Sequence, residues 1–94
     1  MVNFRWSPTK NEWLCRVRGI TFERIVAAIE AGALLDVLDH PDQDRYPGQR
    51  LLVVRLQQYI WLVPMVESAD GLFLKTAFPS RKATRKYLET DDES

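Results

Sequence analysis

Ninety-four residues, 46% of them hydrophobic and 28% charged, describe one small globular domain rather than a disordered chain. The longest apolar run, Tyr59 to Val66, is broken by Pro64 and falls far short of the roughly 20 residues of a membrane span; the lone Cys15 excludes an internal disulfide or a cysteine-based zinc site. The net charge of +0 hides an asymmetry: Glu89, Asp91, Asp92 and Glu93 crowd the last six residues, leaving nine acids against thirteen bases, a net of +4, over residues 1–88.

Asn3, Phe4, Arg5 and Trp6 read as a short first strand. Ser7-Pro8 then starts a helix, pairing a capping hydroxyl with a ring whose fixed φ suits the first helical position. Trp13, Leu14 and Val17 form its expected buried stripe, and Gly19 stops it. Thr21 caps a second helix, predicted over 21–31, in which Phe22, Ile25, Val26 and Ile29 follow helical spacing up to the stop at Gly32. Ala33 to Leu38 reads as a strand, and residues 41–49 as a polar loop. Leu51–Leu56 and Tyr59–Val66 read as a hairpin across Gln57-Gln58, and Leu72–Phe78 as one further strand ended by Pro79. Pro64 cannot donate to a ladder, so its strand must lie at an edge there or carry a bulge. Ser80 caps a terminal helix through Leu88, and the acidic residues 89–94 read as a solvated, disordered tail. The fold class is α+β: a mainly antiparallel sheet, two N-terminal helices on one face and a short C-terminal helix.

Candidate chemistry concentrates in the last helix. Arg81, Lys82, Arg85 and Lys86 span an arc of about 140°, while Ala83, Thr84 and Tyr87 fall on the other side. With Ser80 at the N-terminus this is either a grip for the phosphates of RNA or an ordinary solvated face. Arg50, Arg55 and Lys75 lie on the strands; Arg55 and Lys75 share a face if the turn after Val66 has an even number of residues. Metal-free RNA cleavage needs a base, cations for the phosphorane and an acid, and arginine and lysine supply the second. His40 is the only histidine, readable as a general base or as a turn residue. Tyr46 and Tyr59 are candidate stacking rings, and Trp6, Trp13 and Trp61 read as core. With neither a metal-ligand cluster nor a dinucleotide fingerprint in the sequence, no metal and no cofactor are expected.

Two end motifs resemble a known family. Phe4, Trp6, Pro8, Lys10 and Asn11, followed by Gly19, Ile20 and Phe22, together with Phe78, Ser80, Arg81, Lys82, Ala83, Thr84 and Tyr87, are similar to the BrnT family of type II toxins. The resemblance covers nearly all of residues 3–88. Where the family commonly carries a basic residue and a histidine before the glycine, Val17 and Arg18 stand here. The resemblance implies a RelE-like domain over residues 1–88 and a metal-independent endoribonuclease that slows bacterial growth, and the single cysteine with no signal-peptide pattern leads us to expect a reduced, cytoplasmic protein. It also implies a cognate DNA-binding antitoxin, of ribbon-helix-helix type in many cases, with which the chain forms a hetero-oligomer. The sequence leaves open a non-catalytic RNA- or protein-binding module of the same fold, or an interaction protein whose apolar strand edge pairs with another chain.

Overall fold

Caps and breakers shape the N-terminal third of the chain in the computed structural model, which describes residues 3–88. After strand β1 (Phe4–Trp6), helix α1 (Pro8–Arg18) begins where the Ser7 hydroxyl accepts the Lys10 N–H, 3.3 Å away, and ends at Gly19 with φ +67. Helix α2 (Phe22–Ala28) begins where the Thr21 hydroxyl accepts the Arg24 N–H. Asn11 clips the helices together: its Oδ1 accepts the Phe22 N–H at 2.7 Å and its Nδ2 donates to Glu23 Oε1 at 2.8 Å. The α-helix ends at Ala28, earlier than its spacing predicts, and widens into a π-helical turn (Ile29–Ala33) that Gly32 terminates at φ +97.

Six strands form one mixed sheet. Strands β2 (Leu34–Asp39), β3 (Gln49–Leu56), β4 (Tyr59–Ser68) and β5 (Gly71–Leu74) pair antiparallel in succession, and β1 adds to β5 in parallel. The two-residue β6 (Phe78–Pro79) pairs with β4 at Trp61 and Leu62. The stretch expected as one strand over 72–78 is therefore two, separated at residues 75–77. This split explains Pro64. In a two-residue hairpin closed by Leu56 and Tyr59, odd-numbered residues of β4 aim their N–H at β3 and even-numbered ones at β5 and β6. Pro64 has no N–H to aim, and it sits where the chain leaves the sheet between its two neighbours. An internal strand thus gains a local edge at the one residue that needs it.

The first core lies under α1 and α2, where Leu14, Phe22 and Ile25 meet Leu52, Val54, Val63 and Leu74. Trp6 stacks on Phe22 with 5.5 Å between centroids, and Trp6, Trp13 and Trp61 pack half-buried at its margin. Val17 departs from the expected stripe and is 55% exposed. Arg18 holds that end of α1 instead: its guanidinium donates to the Ala77 carbonyl and lies 4.8 Å over the Trp13 ring.

Residues of the opposite parity, among them Val53 and Ile60, are equally buried but face away from those helices. Helix α3 (Arg81–Leu88) crosses this second face, packing chiefly on β4 and reaching β2 through Tyr87, whose hydroxyl donates to Asp36 Oδ2 at 2.9 Å. No described helix is long and apolar enough to cross a membrane.

Candidate nucleic-acid interface

Helix α3 is held by a relay rather than by bulk burial. Ser80 donates its N–H to the Ile60 carbonyl at 2.9 Å, and its hydroxyl accepts the Ala83 N–H at 3.0 Å. The Thr84 hydroxyl, buried, accepts the Ile60 N–H at 2.8 Å and donates to the Ser80 carbonyl at 2.7 Å. The helix thereby satisfies the strand edge where β6 ends, and its orientation follows. Thr84 is buried and Ala83 and Tyr87 are half-buried against the sheet, while Arg81, Lys82, Arg85 and Lys86 are exposed. The angular division seen in the sequence is the one the packing produces. Ser80, a candidate phosphate contact, is occupied in positioning the helix.

The ladder register sorts the strand cations. Arg55 stands opposite Ile60, and Lys75 continues β5 with its N–H on the Pro64 carbonyl at 2.8 Å. Ile60 and Pro64 share a face, so Arg55 and Lys75 both lie on the α3 side of the sheet. They sit four β4 residues and two strand spacings apart, about 16 Å between backbones. Six cations therefore share one side of the molecule, and none of them makes an ion pair with a described residue. At this density their fields add and favour a polyanion.

Two candidates fall elsewhere. Arg50 stands opposite Met65 on the α1–α2 side and pairs with Asp39 at 3.7 Å. His40 begins the 40–48 loop: its Nδ1 accepts the Asp42 N–H at 3.0 Å and its ring tilts against Tyr46 at 4.5 Å. Gln43 tightens the same loop, donating to the carbonyls of His40 and Gln49 and accepting from Gly48. His40 thus organises a turn just past the end of β2, four residues along the chain from the Asp36 that Tyr87 touches.

One pair escapes a reading by sequence pattern. Asp36 and Tyr87 are 51 positions apart, yet they form a carboxylate–phenol hydrogen bond beneath the cationic helix. Burial, and then the hydrogen bond and charge of Asp36, push the phenol's pKa up, so it stays a neutral proton donor. Among the described residues no group of three His, Cys, Asp or Glu side chains is placed to hold a metal ion. Comparison with known protein families, curated proteins and solved structures found no match for this chain.

Proposed function

We propose that this protein is the toxin of a bacterial type II toxin–antitoxin pair: a RelE-like, cytoplasmic endoribonuclease that needs no metal and binds RNA across α3. The observation that carries the proposal is the shared face of Arg55, Lys75, Arg81, Lys82, Arg85 and Lys86, with the capped start of α3 at its edge. Attack of a ribose 2′-hydroxyl on the adjacent phosphate, its proton passing to water, forms the P–O2′ bond as the P–O5′ bond breaks and builds negative charge on the phosphorane, which arginine forks stabilise. Arg81 and Arg85, one turn apart, bracket one phosphate in this scheme; Tyr87 turns its one phenolic proton from Asp36 to the leaving 5′-oxygen and recovers a proton from water. The partner is a cognate DNA-binding antitoxin that covers this face. Tightly regulated expression in a bacterial host should arrest growth and fragment RNA, and the purified protein should cut RNA in EDTA.

The arrangement of His40 supports a second reading, a module that binds RNA without turnover, because the one histidine is taken up by its loop. Protein that binds RNA yet leaves growth and RNA intact would establish that reading over the first.

A further inference from the structure

The α1–α2 side of the sheet is only partly covered. Beside α2 and its π-helical turn, an open groove of roughly 990 Å³ runs across the sheet from β2 to β1. Its floor is apolar, made by Phe4, Val37, Leu52, Met65 and Leu72. Acids stand at both ends: Glu30 on the π-helical turn and Glu67 at the end of β4, while Asp70 beside Glu67 is paired with Arg5 at 3.5 Å. Arg50, the one cation in the lining, is neutralised by Asp39 at 3.7 Å.

We infer that this groove docks a cationic amphipathic helix of another protein. Size is the first argument. From β1 to β2 there are four strand spacings, about 19 Å, which is the length of a helix of about 12 residues. Such a helix would lie beside α2 as a third member of the same layer and bury the remaining apolar sheet surface. Charge is the second. An apolar stripe with lysine or arginine at both ends meets the floor and the acids together, whereas an acidic helix would be repelled. The α3 side carries the opposite sign, so a cationic helix is steered to the groove and RNA to the other face. The groove stands apart from the proposed RNA site, and its occupancy does not depend on RNA cleavage.

The test titrates the isotope-labelled full chain with a synthetic 14-residue peptide carrying a leucine stripe and lysine flanks, and with its glutamate-flanked counterpart. The lysine peptide is expected to shift the backbone NMR signals of Phe4, Val37 and Leu72, and to bind at least tenfold tighter than the glutamate peptide at low salt. The double variant Glu30→Lys, Glu67→Lys changes two exposed side chains and should weaken lysine-peptide binding at least fivefold. Equal binding of the two peptides overturns the inference, as do shifts centred on α3 or groove signals that move with protein concentration alone. The last result would make a second copy of the chain the occupant.

Discussion

Gln57 and Gln58 sit at φ +57 and +64, a type I′ turn built from residues that resist the left-handed region. Each costs about 1 kcal/mol relative to glycine there. Gln58→Gly should therefore stabilise the protein by about 1 kcal/mol, read as a rise in Tm of about 4–8 °C; a fall in Tm would show that the glutamine makes a compensating contact. Gly71 is the opposite case. At φ +129, a Cβ would stand 2.1 Å from the Asn3 carbonyl oxygen, the oxygen that accepts the Leu72 N–H and fastens β1. Glu23 carries the pH dependence at this scale. The Asn11 amide, then the residue's own backbone N–H and the Thr21 hydroxyl, hold its carboxyl below the ordinary value. Its ionised form is thus favoured in the fold. The stability it adds is present above the unfolded carboxylate range and lost as pH falls through the depressed folded value. Glu23→Gln should flatten the acid limb of the stability curve slightly, since the group is exposed; an unchanged limb would mean Asn11 binds the neutral residue equally well.

For the elements, the decisive join is between α3 and β4. Thr84→Val keeps the side-chain shape but leaves the buried Ile60 N–H without an acceptor, a loss of about 1–3 kcal/mol. Denaturant unfolding should show this, and backbone signals of α3 should shift most. A shift confined to position 84 with unchanged stability would mean the relay does not hold the helix. Strand β2 forms an edge of the sheet, yet it is blunted. Its register shift falls between Leu34 and Asp36, and the Asp36 carboxylate caps the outward-facing N–H of Val37 at 2.8 Å. Exposed Leu34 and Leu35 therefore sit beside an edge poorly arranged for strand addition.

Across the whole molecule, the fold separates charge. A basic helix lies on one side of the sheet and an acid-tipped apolar groove on the other. RNA binding should weaken steeply with salt, and Lys86→Ala should flatten the slope by about one unit with turnover of bound RNA unchanged. Arg81→Ala should instead lower turnover by roughly ten- to a thousandfold with little loss of binding. Filter binding and cleavage across a salt series distinguish the two, and equal binding losses without a turnover effect would make α3 a generic grip. The acidic tail at 89–94 lies outside the described residues; deleting it should raise RNA affinity at low salt if it competes for the cationic face.

Local chemistry alone decided much of this protein. The Ser7-Pro8 and Thr21 caps, the Gly19 stop, the hairpin around Gln57-Gln58 and the cationic arc of α3 depend on residues a few positions apart, so spacing reveals them. Val17 and the strand break at 75–77 were not legible, because Arg18 anchoring to Ala77 and the departure of the chain between β5 and β6 are long-range events. The candidate site divides in the same way. That Arg81, Lys82, Arg85 and Lys86 share a face follows from helical periodicity. Only the register of three strands places Arg55 and Lys75 with them and Arg50 opposite, since a one-residue slip reverses every side chain. Only the crossing of α3 over the sheet brings Tyr87 to Asp36, and no pattern along the chain encodes a contact 51 residues apart.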